Sequence, residues 1–190
     1  MSTRVTLILL GVLAALTVVA VVSQGPWGGG RSREHALVFP GLVAGDVQVI
    51  KAARAGGELL LARDGAAWKL GTPREPADGA AVERFLADVA GLRVNAVVSK
   101  NAAKQAGYET TAEQGAAVRL EGAGGKTLAA FVVGKRGPDG VSCYLRRDGG
   151  SEVLLVASDL RSALYRPDES WRAPPQPAGN PAPEKPAGTP

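Results

Sequence analysis

The chain has 190 residues, a formal net charge of +4, one cysteine and one histidine. An internal disulfide needs two cysteines and a Cys/His zinc site needs three or four such ligands, so both are excluded. Because 45% of the residues are hydrophobic, a highly charged disordered chain is excluded as well.

Residues 5–22 form an apolar segment, VTLILLGVLAALTVVAVV, that contains neither charge nor proline. At about 1.5 Å per residue, a helix of this length spans roughly 27 Å, close to the hydrocarbon core of a bilayer. We predict a single transmembrane helix within a signal anchor of residues 1–24. The apolar run is longer than that of a usual secretory signal peptide, which favours the anchor over cleavage after Ser23. Residues assigned to this helix include Val5, Leu10, Gly11, Ala14, Ala15 and Val22.

Charges on the two sides of this segment nearly balance, with Arg4 before it and Arg31 and Arg33 after it. Long domains cross the membrane largely regardless of such local charges. We therefore expect a single-pass protein of the cytoplasmic membrane, with its N-terminus inside and its domain on the extracytoplasmic (periplasmic) side. Residues 25–36 are rich in glycine and are predicted to be a linker.

The central part of the chain opens with strand patterns. Residues 46–53, whose valines share one face, are followed by apolar runs at 58–63 and 66–70. Asp64-Gly65 between the last two runs is a strong hairpin signal. We predict a meander of three antiparallel strands.

The period then changes to that of a helix. Four apolar residues recur at spacings of three and four: Val82, Phe85, Leu86 and Val89. Asp78 is a suitable N-cap for this helix and Gly91 a suitable end. Residues 93–99 are predicted to form a strand after it.

A second set of strand patterns follows, separated by glycine-rich turns. They comprise residues 116–121, 126–133, 141–147 and 152–156. Residues 128–133 are apolar on both faces, which predicts a central strand. Ser158 is a suitable N-cap for a short final helix that carries Leu160 and Leu164.

These elements predict an α+β fold of antiparallel β-meanders packed with one main amphipathic helix and a short C-terminal helix, preceded by the single N-terminal transmembrane helix. The folded domain is expected to cover residues 37–172. Residues 173–190 contain seven prolines and are predicted to be a disordered tail. Two P-x-x-P patterns in the tail leave a docking peptide open as an alternative.

Few residues offer catalytic chemistry, and no catalytic residue, cofactor or metal ligand is assigned. Residues 122–127 read GAGGKT but lack the leading glycine of a phosphate loop, so they are interpreted as a turn. Cys143 alternates with apolar residues and is expected to be a buried hydrophobe. His35 stands in the linker, where solvation is expected. The pair Asp168-Glu169 is more typical of a solvated surface than of an acid–base site. Interspersed charges without a basic stripe argue against a nucleic-acid partner.

Trp68, Tyr144 and Trp171 are the candidate interaction residues. Trp68 and Tyr144 lie in predicted strands, and Trp171 closes the domain. Core packing is the favoured interpretation of the two tryptophans, because each indole buries a large apolar area. A platform on which a ligand such as a sugar stacks is the alternative.

Four segments of the chain resemble those of a known family. They are LVFPGLVAGDVQVI (37–50), WKLGTPREPADGAAVERFLADVAGL (68–92), FVVGKRGPDGVSCYLR (131–146) and SWRA (170–173). In this order and spacing they resemble the family called domain of unknown function 4340, over about residues 37–173. One departure is AGYE at 106–109, where the family often has Tyr-Gly-Leu.

The resemblance implies a membrane-anchored extracytoplasmic protein, associated with an ABC transporter of the gliding-motility-auxiliary type, and carries over no catalytic residue. The leading hypothesis is therefore a non-enzymatic accessory or scaffold protein of a cell-envelope complex, with transporter subunits as partners. Two alternatives are a periplasmic module that binds glycan or lipid after signal-peptide cleavage, and an enzyme with a carboxylate-based site.

Overall fold

The computed structural model describes residues 35–174, which form one antiparallel sheet of nine strands with helices on one face. The strands are β1 (Val49–Arg54), β2 (Gly57–Asp64), β3 (Ala67–Leu70), β4 (Glu75–Pro76), β5 (Val94–Ser99), β6 (Ala116–Glu121), β7 (Thr127–Arg136), β8 (Cys143–Arg147) and β9 (Val153–Val156). The helices are α1 (Gly79–Ala90) and α2 (Leu160–Tyr165). The α+β class predicted from the sequence is confirmed for this part of the chain.

Two predicted segments lie outside the described residues. They are the membrane helix at residues 5–22 and nearly all of the proline-rich tail. Between residues 35 and 174, no helix is long and apolar enough to cross a membrane.

The two predicted meanders join into a single sheet with the order β4-β3-β2-β1-β6-β7-β8-β9-β5. The junction is the antiparallel pair β1–β6, in which Ile50 lies opposite Leu120. After β4 the chain crosses the sheet through α1, and β5 then pairs with β9 at the far edge. The predicted central strand, β7, lies in the interior of the sheet, with β6 on one side and β8 on the other.

α1 begins and ends where the sequence predicts. The side chain of Asp78 accepts a hydrogen bond from the backbone N of Ala81 at 3.1 Å, and Gly91 is the C-cap. All four residues of the predicted apolar stripe are buried in the core against the sheet. Among them, Phe85 meets Trp171 edge-on, with ring centroids 5.9 Å apart. Burial of this stripe holds the helix on one face of the sheet.

The core face of β1 differs from the prediction. β1 begins at Val49, and its buried positions are Ile50 and Ala52. Val47 is buried before the strand begins, and the short 3-10 helix that ends at Asp46 shifts the alternation. The interpretation of Val47 and Val49 as one strand face is therefore wrong.

The strand predicted to start at Val141 starts at Cys143. Oδ1 of Asp139 accepts hydrogen bonds from the backbone N of Val141 at 3.1 Å and of Ser142 at 2.8 Å. These bonds hold a turn, and they leave the Val141 side chain 69% exposed. An Asp side chain thus competes with the ladder for the backbone donors.

The cap of α2 also differs by one residue. The N-cap is Asp159, whose side chain accepts a hydrogen bond from the backbone N of Ser162 at 3.0 Å, and not Ser158. Leu160 and Leu164 are buried, as predicted. The turn predicted at residues 122–127 is present between β6 and β7, where it covers residues 122–126 and has a hydrogen bond of 2.8 Å from Gly122 N to Lys126 O.

Candidate binding surface on the open face of the sheet

The two faces of the sheet are covered differently. α1, α2 and Trp171 pack on one face and share a continuous core with it. Side chains alternate along each strand, so the residues between the core positions point to the other face. Among the described residues, this open face is covered in part by segment 100–115.

Segment 100–115 lies over β7 and β8. The rings of Tyr108 and Tyr144 are in tilted contact with centroids 4.7 Å apart, and Nε of Arg146 donates to the carbonyl of Thr110 at 2.8 Å. Gly134 lies beneath this contact, where a Cβ would come within 2.8 Å of Cγ2 of Thr110. A glycine in β7 therefore lets the segment approach the sheet closely, while the β1–β6–β7 region stays uncovered.

The uncovered region is a basin of about 360 Å³, named here the alanine basin. Ala53, Ala117 and Ala130 form its floor, and Ala112 of segment 100–115 lines one side. Strand pairing brings the floor together, because Ala53 lies opposite Ala117, and Ala117 lies opposite Val132, which also lines the basin two residues from Ala130. Methyl side chains on three adjacent strands let another molecule approach the sheet more closely than large side chains would.

Charged residues surround this floor. They are Lys51, Glu58, Arg119, Arg146 and Asp148. The charge of Lys51 is already paired, because its Nζ lies 2.9 Å from Oε1 of Glu121. The side chains of Glu58, Arg119 and Asp148 have no hydrogen bond or ion pair with any residue between 35 and 174. The basin thus combines an apolar floor with a rim that carries unpaired charges of both signs.

Trp68 and Trp171 lie in the core. Trp68 is 3% exposed, and its Nε1 donates to Oε1 of Glu83 on α1 at 2.9 Å. Trp171 is fully buried, with Phe85 at its edge and the Arg166 guanidinium 3.4 Å from its ring centroid. Neither indole presents a face to solvent, so a stacking platform at these two residues does not fit the structure.

Tyr144 differs from the tryptophans, because it lies on the open face and is half-buried against Tyr108. It shares β8 and the open face with Arg146, which lines the basin. Of the three interaction residues expected from the sequence, Tyr144 alone is placed beside the basin. The basin residues themselves were missed, because isolated alanines and single charges form no recognisable sequence pattern.

The reactive side chains are placed elsewhere. Cys143 lies in the core, and burial raises the pKa of its thiol to about 11, so the thiol stays protonated at neutral pH. His35 is exposed, and its carbonyl accepts a hydrogen bond from Nη1 of Arg93 at 2.6 Å. Asp168 forms an ion pair with Arg54. Within residues 35–174, no three or more His, Cys, Asp and Glu residues are grouped so that they could hold a metal ion.

Fold and surface together define an α+β domain built on one antiparallel sheet, with helices on one face and a basin on the other. Residues 68–174 match the family described as Domain of unknown function (DUF4340), and the chain belongs to this family. The family resemblance seen in the sequence is confirmed, although the matched range begins at Trp68 and leaves β1 and β2 outside it. No curated protein and no solved structure matches this chain.

Proposed function

We propose that the protein is a non-enzymatic accessory protein of a cell-envelope complex, whose domain binds a partner protein through the alanine basin. The observation that carries this proposal is the basin itself, on the sheet face opposite α1 and α2. Protein interfaces combine a desolvated apolar centre with a polar rim, and the alanine floor and its charged surround have that arrangement.

The charges of the rim favour a partner with charges of both signs. Glu58 and Asp148 would accept hydrogen bonds from cationic groups, and Arg119 would hold a carboxylate. Such pairs at a rim contribute more to orientation and to the rate of association than to affinity. The affinity would come mainly from side chains of the partner that bury the alanine floor.

Residues 5–22 would anchor this domain in the cytoplasmic membrane, with the basin on the periplasmic side. The family resemblance suggests subunits of an ABC transporter of the gliding-motility-auxiliary type as the partner. Small residues in the anchor, such as Gly11 and Ala15, would allow it to pack against a transmembrane helix of such a subunit.

The test is extraction of tagged full-length protein from native membranes in mild detergent, followed by mass spectrometry of the co-purifying proteins. Ala117→Arg places a long cation on the basin floor. Ala67→Arg is the matched control, because Ala67 is exposed on the same sheet face but outside the basin. We expect the control to retain the partner and Ala117→Arg to lose it.

Two results would contradict the proposal. If the protein runs alone in native membrane extracts, it has no stable partner there. If both variants retain a partner equally, the basin is not the site that binds it. The same preparation tests the anchor, because the intact mass reports whether residues 1–24 are present. A mature N-terminus near Gln24 without a partner would favour the alternative, a periplasmic module that binds glycan or lipid beside Tyr144.

A further inference from the structure

We infer that the outer edge of β5 is a second docking site, at which an extended apolar segment of a partner protein, flanked by acidic residues, adds a strand to the sheet. The inference rests on the proposed accessory role and specifies how the partner is held. It concerns a different surface from the alanine basin, so the two can be tested separately.

The outer side of β5 is paired over only part of its length. At its start, His35 N donates to Val94 O at 2.6 Å and Val94 N donates to Ala36 O at 3.0 Å. From Asn95 to Ser99, the described residues provide backbone partners on the β9 side alone. About five residues at ~3.4 Å each leave roughly 17 Å of strand edge available for pairing.

The two edges of the sheet differ in how they are protected. β4 has two residues, one of which is Pro76, and Arg172 and Ala173 pair along it. β5 has the sequence VNAVVS, without proline or charge, and its register shifts against β9 are the one protective feature it carries. Uncharged edge strands rich in β-branched residues are templates for strand addition.

A groove of about 420 Å³ adjoins this edge. Its apolar walls are Leu37, Val94, Val97 and Leu154, and an Arg147–Glu152 ion pair of 3.6 Å lies at its rim. Leu37 is 37% exposed, which is high for a large apolar residue. In strand addition, backbone hydrogen bonds supply affinity and pockets for alternate side chains supply specificity. The open edge of β5 would supply the backbone hydrogen bonds, and the groove would supply the pocket for side chains.

The charges at the two ends of β5 favour an acidic partner segment over a second copy of this chain. Arg93 and Lys100 flank the strand, and both are exposed. A second copy paired antiparallel about the middle of β5 would place Arg93 opposite Lys100, and like charges opposite each other destabilise a strand pair. A segment with an uncharged β-branched centre and acidic ends matches the edge instead.

The test uses two capped peptides with the same Thr-Val-Thr-Val-Thr centre, one flanked by Asp and one by Lys, added to full-length protein in detergent. Amide hydrogen exchange is followed at residues 94–100. We expect the Asp-flanked peptide to slow exchange about tenfold or more at saturation at those amides of residues 96–99 that point away from β9, and to bind more tightly than the Lys-flanked one. Equal binding of both peptides, or an unchanged exchange rate, would overturn the inference.

Val98→Lys introduces a charge at the edge, and Val43→Lys is its matched control, since Val43 is 56% exposed and lies away from β5. Binding should be lost in Val98→Lys and kept in Val43→Lys. If those amides of residues 96–99 that point away from β9 are already protected in the protein alone, the chain's own residues before His35, or a second copy, occupy the edge. That result would also overturn the inference.

The two proposals fail in different ways. Loss of the native partner by Ala117→Arg with retention by Val98→Lys would leave the basin proposal standing and overturn the docking site at β5. Binding of the Asp-flanked peptide to Ala117→Arg as to the unaltered protein, with the partner absent from extracts of both, would overturn the proposed function and leave the edge as a peptide-binding site.

Discussion

Gly134→Ala tests the contact that forms one wall of the alanine basin. Gly134 lies in β7 beneath segment 100–115, and an added Cβ would overlap the carbonyl oxygen of Tyr108. The same Cβ would lie 2.8 Å from Cγ2 of Thr110 and 3.1 Å from the carbonyl carbon of Glu109. Because two of these atoms belong to the backbone, a side-chain rotation cannot relieve the clash, and the segment must lift from the sheet.

The size of the effect follows from what the lifted segment loses. Arg146 would lose the carbonyl of Thr110, a bond of about 1.5–3 kcal/mol because its donor is charged. Tyr108 would lose its ring contact with Tyr144, which contributes about 0.5–1.5 kcal/mol. We expect Gly134→Ala to lower the free energy of unfolding by about 2–4 kcal/mol.

The assay is urea unfolding of the full-length protein in detergent, with amide exchange at Thr110 as a local readout. Gly107→Ala is the matched control, because Gly107 lies in the same segment with open space around its Cβ position. That variant should be neutral, or more stable by up to about 1 kcal/mol. A Gly134→Ala variant as stable as the control, with unchanged exchange at Thr110, would refute the close approach of segment 100–115.

Three further predictions concern the core and its caps. Trp171→Ala should lower the free energy of unfolding by about 3–5 kcal/mol, because the indole is fully buried, and Trp171→Phe should cost less; equal losses in urea titrations would contradict this. Asp78→Ala should cost about 1 kcal/mol through loss of the α1 cap, and Asp78→Asn should recover most of it in thermal unfolding. Burial raises the pKa of Cys143 from 9.0 to about 11, so the unfolded thiol loses its proton first and stability should fall as pH rises through that interval. Cys143→Ala should show a smaller fall, and equal slopes in unfolding measured across this pH range would refute the reasoning.

Local signals in the sequence predicted the elements that depend on local chemistry. The apolar stripe of α1, its Asp78 cap and its Gly91 end lie within one stretch of chain and are all present in the structure. The Asp64-Gly65 turn joins β2 and β3 for the same reason. The predicted start of β8 at Val141 is wrong because hydrogen bonds to the Asp139 side chain hold Val141 in a turn. The alternation of apolar residues in the sequence contains no information about these bonds.

The basin could not be predicted, because it depends on pairing between distant strands. Ala53 and Ala117 are opposite each other in the β1–β6 ladder, although the four strands β2 to β5 and the helix α1 lie between them in sequence. Periodicity tells which face of a strand is apolar, but it contains no information about which distant strand will be its neighbour. Arg119 illustrates the consequence: a single exposed cation has no signature until pairing places it beside Ala130.

The topology also explains why one edge of the domain is left open. Two sets of elements have the same order, β1 to β4 with α1 and β6 to β9 with α2, and the segment after each helix crosses to the outer edge of the other set. After α2 only a short stretch at Arg172 and Ala173 pairs with β4, whereas after α1 a whole strand, β5, pairs with β9 and becomes a new edge.

His35 is hydrogen-bonded to the start of β5. If residues 5–22 span the membrane as proposed, residues 23–34 limit the distance from the bilayer to His35 to about 40 Å. A partner that adds a strand at β5 must therefore present it close to the membrane, which favours a membrane protein or a protein tethered to one.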